Sequence, residues 1–207
     1  MDTMIRNVYC VGRNYRLHAA ELGNDVPQEP MIFMKPSHAV IPLDQSVIIL
    51  PKDQGKVHYE GEIVILIDRD YEPGITVNEL VEVMALGIDF TLRDVQQVIK
   101  EKGHPWTAAK GFKSSAPLTP FVAFPGTEEL NLQDFTVIKN EVEVQRGNAS
   151  DMIFSLQNIV DYIGLHYGLG KGDLIFTGTP AGVGPVSLGD EFELLWGDKQ
   201  LGSCSIG

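Results

Sequence analysis

Three acidic side chains have the spacing that most strongly indicates a chemical site in this sequence. Glu60 and Glu62 lie two residues apart just before the apolar run 63–67, and Asp89 follows a second apolar stretch. Side chains two apart on a strand project to the same face, so both glutamates aim at one point. Carboxylates crowded beside a core stay ionised only if a cation or a proton lies between them. An all-oxygen set suits Mg²⁺ or Mn²⁺, which predicts a metal site, although a solvated edge strand would show the same spacing.

Two histidines accompany these acids. His58 shares the face of the two glutamates, and we expect it either as a fourth ligand or as a hydrogen-bond partner of the acids. His18 and Glu21 lie three apart on a predicted short helix that ends at Gly23, so the carboxylate could hold the imidazole and raise its basicity. Spacing alone leaves two interpretations open, a general base near neutral pH and an ordinary surface pair.

Positive residues stand out because the chain carries a formal net charge of −12. That charge argues against binding to nucleic acid or to anionic membranes, both of which require a basic face. Four cations beside distinctive motifs would suit a small anionic substrate, or would simply be solvated: Arg13, Lys35, Arg93 and Lys110. Lys110, in WTAAKGF, could be a Schiff-base nucleophile or an oxyanion donor. The glycine-rich turn FTGTPAGVG could present N–H groups and the Thr179 hydroxyl to a carboxylate.

Helical periodicity predicts which side chains should surround the acids. In the predicted helix 92–102, the apolar residues form one face and Arg93, Gln96 and Lys100 form another. Because this helix begins just after Asp89, Arg93 and Gln96 should lie near any ion held there. A capping box of Thr76 with Glu79 predicts a helix over residues 77–84.

The remaining elements are mostly strands. A further helix is predicted over residues 156–167, and strands are predicted over 46–50, 60–67, 85–90, 121–124, 135–140, 143–146, 174–177 and 191–196. Many strands with few helices predict a single α+β domain over residues 1–207, built on a mixed, curled sheet. The apolar runs are too short to span a bilayer and no leader precedes the first strand, so we expect a cytoplasmic protein. Cys10 and Cys204 are expected to be reduced thiols.

Taken together, these motifs resemble the fumarylacetoacetate hydrolase family, and most closely its short, single-domain members that act on acylpyruvates and oxaloacetate. The matching strings run from Tyr9 to Val186 in the family's order: CVGRNYRLHAAE, IFMKPSHAV, HYEGEIVILI, GIDFTLRDVQ, KGHPWTAAKGF, NASDMIFSL and GDLIFTGTPAGVGPV. The resemblance implies a mixed β-roll or sandwich of the family's C-terminal domain type with a few flanking helices, and a homodimer. One departure is Asn140-Glu141, where the family commonly has Asn-Gly, so a different hairpin turn is expected.

The resemblance also implies roles for the site residues. It implies that the three acids bind Mg²⁺ or Mn²⁺, that His18 and Glu21 activate water, and that Lys110 stabilises charge. Substrate-binding residues are implied at four positions, Arg13, Arg93, Gln96 and Thr179.

The activity implied is metal-dependent hydrolysis of a carbon–carbon bond in a small anionic 2,4-diketo acid, such as fumarylpyruvate or acetylpyruvate. Decarboxylation of oxaloacetate, keto–enol tautomerisation and double-bond isomerisation of a 2-oxo diacid need the same enolate, so these alternatives stay open. A non-catalytic anion- or metal-binding module is a further alternative. The joint presence of the acids, the His–Glu pair and Lys110 argues against such a module.

Overall fold

The computed structural model describes residues 4–21 and 26–207, and all elements named below lie in these ranges. The strands are β1 (Val8–Gly12), β2 (Met31–Lys35), β3 (Val40–Pro42), β4 (Ser46–Ile48), β5 (Val57–Tyr59), β6 (Gly61–Ile67), β7 (Val81–Ile88), β8 (Thr91–Leu92), β9 (Ala116–Leu118), β10 (Val122–Ala123), β11 (Phe135–Lys139), β12 (Val142–Gly147), β13 (Leu174–Phe176), β14 (Gly184–Pro185), β15 (Glu191–Trp196) and β16 (Lys199–Ile206). The α-helices are α1 (Arg16–Glu21), α2 (Val77–Leu80), α3 (Arg93–Glu101), α4 (Thr107–Lys110), α5 (Thr127–Leu130) and α6 (Leu156–His166). None of these helices is long and apolar enough to cross a membrane.

The main sheet is mixed, as the sequence predicted. Its strand order is β2-β1-β13-β6-β7-β9-β3, with β10 paired to β7. The pairs β1–β13 and β3–β9 are parallel, whereas β6 is antiparallel to both β13 and β7. A second sheet has the order β12-β11-β15-β16-β4, and a small third sheet has the order β14-β5-β8. With six helices around them, these sheets confirm the α+β class.

Strand β6 lies at the centre of the main sheet and is buried along its whole length. Ile63, Ile65 and Ile67 pack into the larger apolar cluster, whereas Val64 and Leu66 pack into a second cluster with Phe176. A strand covered on both faces requires a continuous apolar run, which is the pattern seen in the sequence. The Glu62 side chain projects to the same buried face of β6 as Val64 and Leu66. The chain must therefore bury a carboxylate at the start of this strand.

The helix predicted over residues 77–84 ends four residues early. The Thr76–Glu79 capping box is present, and α2 runs only from Val77 to Leu80 before the chain continues as β7. Val81 pairs with Ile67, and the ladder continues to Ile88 against Gly61. Pairing with the fully buried and mostly β-branched strand β6 outweighs another turn of helix. The predicted strand 85–90 therefore starts earlier and stops at Ile88. Strand β16 was not predicted.

Three local predictions have different outcomes. The Asn140–Glu141 turn has positive φ at both residues, 50° and 64°, and joins Lys139 to its partner Val142. This is the two-residue geometry that Asn-Gly favours, so the expectation of a different turn is wrong; Glu141 adopts it despite its side chain. The predicted end of the first helix at Gly23 lies outside the described residues. Both cysteines are buried free thiols, as expected.

Gly61, between the two glutamates, allows the second sheet to approach β6 closely. A Cβ atom at this position would lie 2.3 Å from Val137 Cγ2 on β11. The Gly61 N–H also donates to Gln145 Oε1 on β12 at 2.8 Å. Glycine is therefore required here by packing, and the contact fixes the backbone that carries both glutamates.

We expect Gly61→Ala to lower the free energy of unfolding by about 1–3 kcal/mol, because the added methyl overpacks this contact. Val137→Ala removes the opposing methyl groups, so the double variant should lose less stability than the two single variants summed. Urea unfolding of the four proteins measures this coupling. Strictly additive losses would contradict the packing explanation.

Candidate active site

The antiparallel pairing of β6 with β7 brings the three acids together. Gly61 pairs with Ile88, and beyond this pair the Asp89 N–H donates to the Glu60 carbonyl at 2.8 Å. One carboxylate oxygen from each of Glu60, Glu62 and Asp89 lies within 4.8 Å of the others. Their exposed fractions are 6%, 2% and 0%, so the solvated-strand interpretation is wrong.

Glu60 is held in its ionised form by cations. Its Oε2 accepts from Lys110 Nζ at 2.8 Å, and its Oε1 accepts from Arg93 Nη2 at 2.7 Å and from the Thr91 hydroxyl at 3.0 Å. Burial alone would raise the pKa of Glu60, but the charges of Lys110 and Arg93 outweigh burial and lower it to about 2. Glu60 therefore remains a carboxylate at any physiological pH.

Asp89 lies between two lysines. Its Oδ2 accepts from Lys110 Nζ at 2.6 Å, and Lys35 Nζ lies 2.8 Å from its Oδ1 without hydrogen-bond geometry. Lys35 is 2% exposed and donates to the Phe90 carbonyl, the Lys110 carbonyl and the Ser115 hydroxyl. The suggestion that Lys35 suits a substrate anion is therefore wrong, because its ammonium group is already used inside the protein.

Glu62 differs from the other two acids because no cation contacts it within the described residues. Its Oε2 accepts the Gly178 N–H at 2.7 Å. Burial and the nearby charge of Asp89 raise its pKa well above the usual range. Asp89 Oδ1 is buried and accepts no hydrogen bond from the described part of the chain. These oxygens, converging in an all-carboxylate set, fit a hard divalent cation.

Lys110 is a permanent cation in this setting. Burial would lower its pKa, but the charges of Asp89 and Glu60 outweigh burial and raise it. Two of its three N–H donors bind carboxylates, and its Nζ lies 5.0 Å from the centre of the Phe33 ring. A protonated lysine is not a nucleophile, so this setting argues against a Schiff base and favours charge stabilisation.

His18 and Glu21 on α1 contact each other, with Nδ1 3.3 Å from Oε2. His18 is only 5% exposed, so the His18–Glu21 contact is not an ordinary surface pair. Glu21 also accepts the Gly182 N–H at 3.1 Å, which ties α1 to the glycine-rich turn. Burial lowers the pKa of His18, although the charges of Glu60 and Glu21 oppose this effect. The imidazole is therefore neutral near pH 7, and the tautomer that suits Glu21 has its proton on Nδ1, which leaves Nε2 as the acceptor.

One cavity of about 40 Å³ joins these groups, and nine of the ten predicted site residues line it. They are Arg13, His18, Glu60, Glu62, Asp89, Arg93, Gln96, Lys110 and Thr179. The tenth, Glu21, reaches the cavity through His18. Phe33 and Trp106 supply an aromatic wall, with ring centres 5.5 Å apart.

The polar residues around the acids are connected to one another. Arg93 Nη1 donates to Gln96 Oε1 at 2.7 Å. The Thr179 hydroxyl donates to the Gly61 carbonyl at 2.8 Å and accepts from Gln145 Nε2 at 2.8 Å. Thr179 thus holds the backbone between the two glutamates, in addition to lining the cavity.

His58 does not take either of its expected positions. It is absent from the carboxylate cluster, and its buried Nδ1 has no hydrogen-bond partner among the described residues. The physical reason is that His58 lies on β5, in the small third sheet, and pairs there with Thr91 and Pro185. Sequence reasoning missed the contact of Gln145 with Gly61 and the contact of Lys35 with Asp89. Both contacts join residues far apart in the sequence, so neither leaves a local spacing signal.

Comparison with known proteins agrees with this geometry. The family model described as "Fumarylacetoacetate (FAA) hydrolase C-terminal" matches residues 7–205. The chain belongs to the fumarylacetoacetate hydrolase family. The predicted resemblance is confirmed, and with it the fold of the family's C-terminal domain.

Several relatives match this chain over nearly its whole length. Oxaloacetate tautomerase YcgM of Escherichia coli is 36% identical over 206 residues, which cover 97% of this chain and 93% of that protein. Mouse mitochondrial oxaloacetate tautomerase FAHD1 is 40% identical over 193 residues, or 91% and 86% of the two chains. The crystal structure of Pseudomonas aeruginosa fumarylpyruvate hydrolase in complex with Mn²⁺ and pyruvate has a TM-score of 0.89 at 34% identity, covering 99% of this chain and 90% of that one.

We predict that His18 titrates below its ordinary pKa of 6.5, and that Glu21→Gln lowers this pKa further by removing a charge that favours imidazolium. Because the folded-state pKa is depressed, stability should fall as the pH drops through 6.5 towards that pKa. NMR titration of the metal-free protein measures both values. Glu101→Gln, the same change on the exposed side of α3, is the control. A pKa above 6.5, or one that rises in Glu21→Gln, would contradict the assignment.

Proposed function

We propose that this protein is a divalent-metal-dependent tautomerase that interconverts the keto and enol forms of oxaloacetate. The observation that carries the proposal is the buried, neutral imidazole of His18, which lines one cavity with three carboxylates and a protonated lysine. With a divalent ion on the carboxylates, such a set would move a proton on a small 2-keto acid. Two relatives with 36% and 40% identity are named oxaloacetate tautomerases, which supports the choice of substrate.

Glu60, Glu62 and Asp89 would hold Mg²⁺ or Mn²⁺. When bound, the ion would polarise the 2-keto group through its oxygen and so acidify the hydrogens on C3. Mn²⁺ occurs in the fumarylpyruvate hydrolase structure, whereas oxygen ligands alone suit either ion.

His18 would carry the proton. In the direction from keto to enol, its Nε2 takes a proton from C3, the C2–C3 double bond forms and the electron pair passes to the C2 oxygen. The imidazolium then gives its proton to that oxygen, which returns His18 to its neutral form. Glu21 holds Nδ1 and stabilises the imidazolium that forms meanwhile. Lys110 has one N–H not used by carboxylates, and this donor would stabilise negative charge on the C2 oxygen. Arg93 and Thr179 would keep the acids in position, and the Gln96 amide would contact the substrate.

Hydrolysis of an acylpyruvate is the second candidate. The His18–Glu21 pair also suits activation of a water molecule, and the fumarylpyruvate hydrolase structure is closely similar. In that reaction the pair would deprotonate water for attack on the distal carbonyl. The expected homodimer stays a prediction in either case.

We expect the purified protein with Mg²⁺ or Mn²⁺ to accelerate the loss of enol-oxaloacetate absorbance without releasing pyruvate. His18→Gln should slow this reaction by about 10²–10⁴-fold, the usual contribution of a general base. His104→Gln, an exposed histidine outside the cavity, should behave as wild type.

The same assay separates the alternatives. Pyruvate release from fumarylpyruvate or acetylpyruvate, with no effect on enol-oxaloacetate, would overturn the tautomerase and favour the hydrolase. Pyruvate released from oxaloacetate at the rate of enol loss would indicate a decarboxylase. Metal binding without any turnover would support a non-catalytic module.

A further inference from the structure

Two cations on the cavity wall, Lys100 and Arg13, have no part in the proposed chemistry. Arg93, Gln96 and Lys100 lie on the same face of α3, and all three line the cavity. Arg93 binds Glu60 and Gln96, whereas Lys100 forms no ion pair within residues 4–21 and 26–207. In a protein of net charge −12, a lysine that lines this cavity without a carboxylate partner among the described residues could bind an anion.

Arg13 lines the same cavity and is held there by a strained but well-anchored backbone. Its φ of 57° lies in the left-handed region, which costs a residue with a side chain about 1–2 kcal/mol. Asn14 follows it, is fully buried and fixes the loop: its Nδ2 donates to the Thr177 carbonyl at 2.8 Å, and its Oδ1 accepts from Phe154 N at 2.8 Å. Strain maintained by such anchoring is typical of functional positions.

The charges in the interior of the cavity are largely paired with one another, whereas its more exposed part carries cations. The three carboxylates are buried, Arg13 is half-buried and Lys100 is exposed. Partial desolvation of its ammonium group lowers the pKa of Lys100, and the positive charges of Arg13 and Arg93 lower it further, so these cations repel one another. No carboxylate in the described part of the chain pairs with Arg13 or Lys100. An anion entering the mouth would relieve this repulsion.

We propose that Arg13 and Lys100 form a subsite for the second carboxylate of a dicarboxylic 2-keto acid. The 2-keto carboxylate end would lie at the inner acids with their ion, and the far carboxylate would lie between the two cations at the mouth. The pair therefore selects diacids over 2-keto acids that end in a methyl group. This inference rests on the proposed function for the inner end of the substrate. It adds Lys100 as a specificity-determining residue and assigns a specific role to Arg13, which the family resemblance had implied only as substrate-binding.

The test compares two stable acids that share the same head group and chain length. 2-Oxoglutarate ends in a carboxylate, and 2-oxopentanoate ends in a methyl group. With the Mn²⁺-loaded protein, calorimetry should show 2-oxoglutarate binding roughly 10-fold or more tightly, the value of about one charge-assisted hydrogen bond. Lys100→Gln and Arg13→Gln should each remove most of this preference without weakening 2-oxopentanoate.

Matched variants separate charge from structure. Lys100→Arg keeps the cation and should retain the preference to within about 3-fold. Lys100→Glu should reverse the preference. Lys102→Gln removes an exposed lysine that does not line the cavity, and should behave as wild type.

The outcomes distinguish this subsite from the proposed reaction. Equal binding of the two acids, binding of neither, or a preference that survives both Lys100→Glu and Arg13→Gln would overturn the subsite. Because the measurement needs no turnover, a diacid preference that depends on both cations would support the subsite even if the protein failed to tautomerise oxaloacetate.

Discussion

The burial of three carboxylates at one end of the central strand pair is the constraint on which the rest of the structure depends. Ions removed from water are stable only when opposite charges or donors replace their hydration. Lys35, Lys110 and Arg93 supply that replacement, but all three serve Glu60 and Asp89. Glu62 has a single backbone donor among the described residues and a raised pKa. The protein cations thus compensate two acids, and a divalent ion would compensate the third.

The fold is arranged so that this cluster stays rigid. Pairing of β6 with β7 sets the spacing of the acids, and the fully buried run of β6 prevents that strand from shifting. The second sheet presses on Gly61 through Val137 and holds its N–H through Gln145. Thr179 binds the carbonyl of the same glycine. Contacts from several elements therefore converge on the one residue between the two glutamates, as a preorganised electrostatic site requires.

Local signals predicted the acids and the capped helices, because same-face spacing and capping depend on residues close in sequence. The contacts of Lys35 with Asp89, and of Gln145 with Gly61, join residues 54 and 84 positions apart and leave no such signal. The helix at 77–84 was overpredicted because pairing with β6 overrides local preference. The position of His58 was predicted wrongly because an even spacing from the two glutamates suggested a shared face. Its strand, β5, belongs to another sheet. Family resemblance, rather than spacing, favoured a place for His18 in the site, and the structure buries His18 in the cavity wall.

Calorimetric titration of Mn²⁺ into the metal-free protein tests the central claim most directly. The buried cluster should bind one Mn²⁺ per chain, and Glu62→Gln should weaken binding at least about 10-fold, because it removes the one acid that the protein's own cations leave uncompensated. Glu82→Gln makes the same change at an exposed position of β7 and should bind as wild type. Binding by Glu62→Gln that equals the wild type would contradict the account.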